Sequence, residues 1–222
     1  AQPVSLPDDW AVSRPDQQGV VAYRLALQAP SSAPGNNTLY GLSVERACNV
    51  LAVWLNGQMI HDGGRFDEPV SRHCHRPQLV AVPAALLKPA GNVLELRVRG
   101  HALAEVSARQ RAGGLSAVEF GPYETMAAHH ARRLVFAIRL PEVLSGALVL
   151  MGSFMFVMGW FNRKQSYLAY FGALMVGWSL LLARLWASEL PVPNAVAEAL
   201  LAALMAFITL AAVQFLMRYA GQ

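Results

Sequence analysis

The only two cysteines of this chain, Cys48 and Cys74, carry its most specific side-chain chemistry. In an exported domain the two can form a disulfide, and closing a loop of this size stabilises a fold by about 3–4 kcal/mol in the chain-entropy model. Two buried thiols on different strands are the alternative, because sequence does not show the geometry of the pair. The sequence leaves both interpretations open.

A group of histidines surrounds the second cysteine. His73 and His75 flank Cys74, and His61 precedes them. If residues 73–75 are extended, both flanking histidines project to the same side of the backbone, and imidazole is a common ligand of zinc and copper. Because no fourth ligand has a convincing spacing, we expect structural or surface histidines, no bound metal and no other cofactor.

Aromatic and arginine side chains of the N-terminal half have the chemistry of a carbohydrate site. An aromatic ring can cover the apolar face of a sugar, and a guanidinium offers a planar fork of donors. The candidates for ligand binding are Trp10, Arg65 and Arg109, and Arg65 is favoured because it follows two glycines. We expect Tyr23 and Trp54 to pack inside the domain, which is the commoner role of aromatics in a β-sandwich.

No catalytic motif is present in the sequence. It contains no G-x-S-x-G elbow, no H-E-x-x-H pair and no Walker loop. Adjacent carboxylates such as Asp8 and Asp9 occur in turn-like segments, where solvated charges are the usual case. We therefore expect a protein without enzymatic activity. The net charge of +4 comes from scattered residues, so nucleic acid is not an expected partner.

Hydropathy divides the chain near Pro141. Three later runs contain no acidic or basic residue: 143–161, 166–183 and 199–217. Each approaches the roughly 20 apolar residues that a helix needs to cross a bilayer, where backbone groups must be paired internally. Within residues 141–219 we predict three transmembrane helices, at about 142–161, 166–187 and 195–217.

The first 121 residues predict an all-β, antiparallel sandwich. Short segments either alternate apolar and polar residues or are apolar on both faces, and Gly, Pro and Asn separate them. Asn56 and Gly57 are suited to the two positive-φ positions of a type I′ hairpin turn. The predicted strands are 20–28, 39–45, 48–55, 58–61, 79–82, 92–99 and 115–120.

A helical pattern over residues 122–140 joins this domain to the first span. It ends against Pro141, which is tolerated in the first turn of the next helix. A rigid helical connector can transmit movement from the domain to the membrane. The alternative is an interfacial helix that only seats the domain on lipid headgroups through its arginines, and both interpretations remain open.

Charge in the two links predicts the orientation of the spans. The link at residues 162–165 is basic, and the link at residues 188–194 contains no Lys or Arg. By the positive-inside rule, the first link and the C-terminus are cytoplasmic, and residues 1–140 are outside. The first three residues resemble the mature side of a signal-peptidase site, which also favours export.

Several motifs occur in the order found in one fold and one family. Leu6-Pro7-Asp8-Asp9-Trp10, Tyr23-Arg24 and residues 53–58 resemble the galactose-binding-like jelly roll of glycosidase sugar-binding domains, and residues 86–96 are similar to its approach to a late core strand. Residues 72–77, 113–115, 120–122 and 166–170 resemble a narrower group. This group is the bacterial membrane receptors with an extracytoplasmic jelly roll, seven transmembrane helices and a variable intracellular signalling module.

The resemblance implies a function and a location. The chain would be the ligand-sensing input region of a receptor of the sensor histidine kinase type, binding an extracytoplasmic small molecule or carbohydrate. It would lie in the bacterial inner membrane, with residues 1–140 in the periplasm and the C-terminus in the cytoplasm. The family continues with about four more spans and a kinase or diguanylate cyclase module, neither of which occurs in these 222 residues.

A function of a different class remains open. The chain could be a non-enzymatic accessory subunit of a larger membrane complex, with the jelly roll as a protein-docking module. Small residues along spans one and three would permit close approach of partner helices. The expected partners are therefore the lipid bilayer and either a small ligand or a membrane protein, and a second copy of this chain is a further option.

Overall fold

The computed structural model describes residues 2–28 and 38–221. The chain forms two units. The β unit comprises Ala1–Val135 and Ser188–Asn194, and the helical unit comprises Phe136–Ala187 and Ala195–Gln222. The segment Ser188–Asn194 was expected only to link two spans, but it belongs to the β unit.

The β unit is built from short antiparallel strands. The strands in the described residues are β1 Asp8–Asp9, β2 Gly19–Leu27, β3 Leu39–Val44, β4 Ala47–Cys48, β5 Val50–Leu55, β6 Gln58–Asp62, β7 Gln78–Pro83, β8 Asn92–Gly100, β9 Gly114–Leu115 and β10 Val118–Pro122. They pair in the orders β1-β9-β4, β10-β3-β7 and β2-β8-β5-β6. A single helical turn, α1 (Trp10–Ser13), follows β1.

The alternating sequence of the long strands creates the core. Strands β2 and β8 pair over nine residues, from Gly19 opposite Gly100 to Leu27 opposite Asn92. One face of β8 is buried and the other carries charged side chains, as the alternation predicts. One hydrophobic cluster contains residues of β3 and β7 together with residues of β2, β5 and β8, so the sheet β10-β3-β7 and the four-stranded sheet share a core.

Two of the predicted strands are each divided in the structure. The predicted strand 48–55 becomes β4 and β5, which belong to different sheets and are separated by Asn49. Its N–H donates to the carbonyl of Arg99, and its carbonyl accepts from the N–H of His73. The predicted strand 115–120 likewise becomes β9 and β10, and these two strands belong to different sheets.

The turn between β5 and β6 has the expected backbone. Asn56 and Gly57 have φ angles of 52° and 89°, the two positive values that a type I′ turn requires. The Asn56 side chain also accepts from the N–H of Val93 at 3.1 Å and donates to the carbonyl of Leu86 at 3.1 Å. The turn is therefore joined to the start of β8 as well as closing its own hairpin.

A helix, α2 (Tyr123–Leu134), packs on the sheet that contains β3. A Cβ built on Gly41 of β3 would lie only 2.8 Å from Cβ of Met126, so only glycine permits this approach. A ring nitrogen of His130 lies 3.1 Å from the carbonyl oxygen of Pro77. The helix predicted at residues 122–140 therefore begins as a packed part of the β unit.

The helical unit contains three long helices. They are α3 Leu140–Phe161, α4 Tyr167–Trp186 and α5 Asn194–Ala220. A π-helical turn, Val135–Arg139, joins α2 to α3. The chain is therefore helical without interruption from Tyr123 to Phe161, whereas the sequence predicted an end at Pro141. Pro141 lies in the first turn of α3, where its missing N–H costs little.

All three helices are long and apolar enough to cross a membrane. This confirms the predicted order of a β region followed by three membrane-length helices. The helices α3 and α4 approach closely because glycines face the neighbouring backbone: a Cβ on Gly152 would lie 2.9 Å from the carbonyl oxygen of Gly172. Ser179 of α4 donates a 2.9 Å hydrogen bond to the carbonyl of Ser145 in α3.

Candidate functional site

The structure places Trp10 in the core of the β unit. Its side chain is 0% exposed, and its indole N–H donates a 2.6 Å hydrogen bond to the hydroxyl of Tyr23. Gly100 and Gly113 lie against the ring, and a Cβ at either position would overlap it. Because both faces of the ring are covered, Trp10 cannot stack on a ligand in this conformation. This corrects the expectation that Trp10 is part of a carbohydrate site.

Tyr23 continues a buried polar chain from Trp10 to Asp8. The Tyr23 hydroxyl donates to Oδ2 of Asp8 at 2.6 Å, and Arg14 donates to the same oxygen at 2.8 Å. Burial, followed by the hydrogen bond to Asp8, raises the pKa of Tyr23 above its usual range. The phenol therefore stays protonated, and the chain of hydrogen bonds satisfies polar groups that the core would otherwise leave unpaired.

The two candidate arginines have different carboxylate partners. Arg109 donates to Oδ2 of Asp9 at 3.1 Å, whereas Arg65 donates to Oε2 of Glu189 at 3.0 Å. Both are exposed, with 61% of the Arg109 side chain and 55% of the Arg65 side chain accessible. Only Arg65 contacts the segment that joins two membrane-length helices, so it is the stronger candidate for a site with consequences beyond the β unit.

Arg65 belongs to a group of four polar side chains that we call the Glu189 cluster: Arg65, Ser71, His73 and Glu189. The Ser71 hydroxyl donates to Oε1 of Glu189 at 2.7 Å, and Nε2 of His73 lies 4.0 Å from the same oxygen. The carboxylate of Glu189 is thus bound at both oxygens, by a guanidinium on one and a hydroxyl on the other. This is a charge-assisted arrangement.

A tight loop before the cluster sets its geometry. The backbone N–H of Arg65 donates to the Ser71 hydroxyl oxygen at 2.9 Å, and the N–H of Ser71 donates to the carbonyl of Arg65 at 3.1 Å. Gly64 has a φ of +125°, and a Cβ there would lie 2.5 Å from Oγ of Ser71. Glycine is required because it alone adopts this conformation and leaves space for Ser71. The loop therefore presents Arg65 and Ser71 to Glu189 together.

The charges in the cluster follow from burial and hydrogen bonding. The Ser71 hydrogen bond, and then the Arg65 contacts, hold the pKa of Glu189 below its usual value, so this carboxylate is ionised at neutral pH. Burial, and then the nearby Arg76, lower the pKa of His73, and these effects outweigh the attraction of Glu189. His73 is therefore neutral at pH 7, and its 4.0 Å approach to Glu189 is a weak polar contact there.

The structure shows the arrangement of the two cysteines and of the histidines near them. Cys48 and Cys74 are joined by a disulfide. Residues 73–75 are not extended as assumed, because the N–H of Arg76 donates to the carbonyl of His73 and closes a turn. The described residues contain no group of three or more His, Cys, Asp or Glu side chains that could hold a metal ion, and that finding covers the neighbourhoods of His61, His73 and His75.

The other end of the Ser188–Asn194 segment is held by a second set of contacts, which sequence reasoning missed. The Asn194 side-chain oxygen accepts from Arg72 at 3.1 Å and from Arg111 at 3.0 Å, and its backbone N–H donates to Glu68 at 3.0 Å. Arg72 also reaches the first end of the segment, where its N–H donates to the carbonyl of Ser188 at 2.8 Å. The sequence offers a signal only for the Glu189 cluster, because Glu189 is the single charged residue of an otherwise neutral link.

Comparisons with known proteins gave no match to a family model or to a curated protein, whereas 32 chains of solved structures match part of the chain. A β-glucuronidase of Bifidobacterium dentium, solved with coumarin-3-O-glucuronide, is 23% identical over 43% of this chain and 14% of its own, with a TM-score of 0.31. A β-glucosidase of Kluyveromyces marxianus is 13% identical over 57% of this chain and 13% of its own, with a TM-score of 0.29.

Proposed function

We propose that this chain is the ligand-sensing input region of a bacterial membrane receptor, with the β unit as an extracytoplasmic, galactose-binding-like jelly roll. The packing of the Ser188–Asn194 segment into the β unit supports this proposal most directly. The segment is covalently continuous with α4 and α5. A ligand that rearranges its contacts would act on residues that immediately follow one membrane-length helix and begin the next.

The Glu189 cluster has the chemistry of a small polar ligand site. Arg65 and Glu189 are about half exposed, at 55% and 53%, and offer donors and acceptors to solvent. Exposed ion pairs contribute only about 0–1 kcal/mol, so a ligand carboxylate or vicinal hydroxyl pair can displace Glu189 from Arg65 at little cost. Such a ligand shifts the segment only to the extent that it binds the displaced arrangement more tightly.

A titration of the full chain in lipid nanodiscs tests this proposal. The probes are a panel of neutral monosaccharides and small carboxylates, and the readout is hydrogen exchange at residues 188–194 and at the Arg72 amide. We expect a binding compound to accelerate exchange there and Arg65→Gln to weaken its binding about tenfold. Arg24→Gln is the matched control, because Arg24 is also exposed and paired with a glutamate, Glu95. Binding that leaves this exchange unchanged, or is unaffected by Arg65→Gln, would count against the proposal.

The proposal includes an orientation in the inner membrane. Residues 1–140 and 188–194 would be periplasmic, and residues 162–165 and the C-terminus cytoplasmic. Single cysteines introduced as Lys164→Cys and Pro191→Cys test this, because the native cysteines are paired with each other and Pro191 is exposed. An impermeant thiol reagent should label position 191 in intact cells and leave position 164 unlabelled. The reverse pattern would exclude a periplasmic sensor.

An accessory subunit of a membrane complex is the second candidate function, and Gly146 favours it. A Cβ on this residue of α3 would meet none of the described residues within 4 Å, whereas the other α3 glycines face α4. A small residue on an open helix face lets another helix approach closely. Photocrosslinking from position 146 discriminates the two functions. Capture of one different membrane protein, together with unresponsive exchange at residues 188–194, would favour the accessory role.

A further inference from the structure

A cavity of about 690 Å³ lies inside the helical unit, where α3 ends, α4 begins and the last turns of α5 pass. Its volume falls within the range of roughly 300–1,000 Å³ that is typical of small-molecule sites. The lining is divided by polarity. Arg163, Ser166, Gln214 and Arg218 contribute polar groups, and aromatic and aliphatic side chains form the remaining walls.

The polar part of the cavity is cationic. Arg218 donates a 3.0 Å hydrogen bond to the hydroxyl of Ser166, and its guanidinium lies 4.8 Å from the centroid of the Tyr170 ring. These contacts hold the guanidinium in place, and the bond to Ser166 uses one of its five N–H donors. Arg163 brings a second positive charge. Among the described residues that line the cavity none is acidic, so an anion would meet no carboxylate there.

The apolar part of the cavity continues into the outer surface of the helices. Phe156 and Leu210 line it, and Trp160 at its edge is 62% exposed. Phe161, the next residue, is 83% exposed. In helices of membrane-spanning length such exposed aromatic side chains contact lipid. A ligand that fills this site therefore needs an anionic head for the arginines and an apolar tail for the open side.

We infer that this cavity binds an anionic phospholipid, with its phosphate between Arg163 and Arg218 and the first part of an acyl chain against Phe156 and Leu210. A free phosphate ion would satisfy the arginines but leave the apolar walls uncovered. Basic pockets between transmembrane helices on the cytoplasmic side are known to take anionic headgroups, and the basic link at residues 162–165 is the one that charge places on that side. The inference uses the proposed orientation but not the proposed receptor function.

Fluorescence quenching of the full chain in phosphatidylcholine nanodiscs tests the inference. The signal of Trp160 is isolated as the difference between the chain and its Trp160→Phe variant. Brominated phosphatidylglycerol should quench this signal at a mole fraction several-fold lower than brominated phosphatidylcholine. Arg163→Gln and Arg218→Gln should each reduce the preference about fivefold, which corresponds to roughly 1 kcal/mol per cation near an anionic lipid. Arg184→Gln, near the other end of α4, should leave the preference unchanged.

Further variants and competing anions distinguish a bound phospholipid from a soluble anion and from a protein partner. Arg218→Lys keeps the charge and should keep most of the preference, whereas loss of folding in Arg218→Gln would leave Arg163→Gln as the deciding variant. Equal quenching by the two lipids, or an unchanged preference in Arg163→Gln, would overturn the inference. Relief of quenching by millimolar inorganic phosphate or glycerol phosphate would instead assign the cavity to a soluble anion. Absence of quenching by either lipid would mean that protein covers the cavity.

Discussion

The hydroxyl of Ser71 donates a 2.7 Å hydrogen bond to Oε1 of Glu189, joining residues that are 118 positions apart. Ser71 is held by the loop that Gly64 makes possible, and Glu189 lies in the segment between α4 and α5. The Arg65 side chain donates to the other carboxylate oxygen of Glu189. Through these two contacts the rest of the β unit holds the segment that connects α4 to α5. A mutation that breaks these contacts should therefore loosen the Ser188–Asn194 segment without lowering the stability of the whole β unit.

Glu189→Gln should loosen the Ser188–Asn194 segment without unfolding the β unit. The amide keeps one acceptor oxygen but loses the charge that Arg65 and Ser71 stabilise, and an exposed pair of this kind contributes about 0–1 kcal/mol. We expect the Arg72 amide, which donates to the carbonyl of Ser188, to exchange hydrogen up to about fivefold faster. Hydrogen exchange read by mass spectrometry measures this.

Glu95→Gln is the matched control for that experiment. Glu95 is also an ion-paired glutamate, and its two partners, Arg97 and Arg24, hold its pKa low, but it lies on β8 and not in the segment. Its substitution should leave the Arg72 amide unchanged. Equal exchange at Arg72 in Glu189→Gln and in the unsubstituted chain would show that the cluster does not hold the segment.

Gly159→Ala should destabilise the helical unit. A Cβ at this position would overlap the backbone of Ala169 in α4, so the helices must separate, and such overpacking costs about 1–3 kcal/mol. Gly146→Ala is the control, because its Cβ would meet no atom within 4 Å in the part of the chain that the structure describes, and alanine stabilises a helix interior by roughly 0.5–1 kcal/mol relative to glycine. Thermal unfolding in detergent should give a lower Tm for the first variant alone. Equal Tm values would show that α3 and α4 do not pack through Gly159.

Much of the fold could be predicted because it depends on local periodicity. The alternation in β8, the positive-φ pair at Asn56 and Gly57 and the uncharged runs of the helices are properties of neighbouring residues. The Glu189 cluster could not be predicted, because its members come from segments more than a hundred residues apart. The type of a residue also does not show whether its side chain is buried or exposed. Trp10 suits a sugar site by type, yet two glycines on other segments leave room for its ring inside the core.

Removing the disulfide should lower the stability of the β unit. It links Cys48 to Cys74 across a sequence separation of 26, and a loop of this length contributes about 3–4 kcal/mol in the chain-entropy model. We expect the Cys48→Ala, Cys74→Ala double variant to unfold at a correspondingly lower denaturant concentration. The unsubstituted chain unfolded with reductant present should lose a similar amount, which controls for the missing sulfur atoms. A loss below about 1 kcal/mol in both would mean that the denatured chain gains little freedom when the bond is absent.

Mild acid should destabilise the β unit through three histidines that are buried or partly buried. Burial is the largest cause that lowers the pKa of His61, His73 and His101 from the usual 6.5. Arg76 adds to the effect at His73, while Glu68 opposes it at His101. Because each folded pKa lies below the unfolded one, the unfolded chain binds more protons. Stability is therefore complete above about pH 6.5 and is lost as the pH falls from there toward the folded values.

Denaturant unfolding of the full chain in detergent between pH 8 and about pH 3.5 measures this loss. The slope is limited to about 1.4 kcal/mol per pH unit for each histidine. His73→Gln should flatten the profile between pH 6.5 and pH 5, because it removes one group that must be neutral in the folded state. A second loss should begin only below about pH 4.5, where Glu189 and Glu95, whose pKa values are lowered, take up protons in the unfolded chain first. Stability that stays constant or rises as the pH falls from 7 to 5.5 would contradict the assignment of neutral, buried histidines.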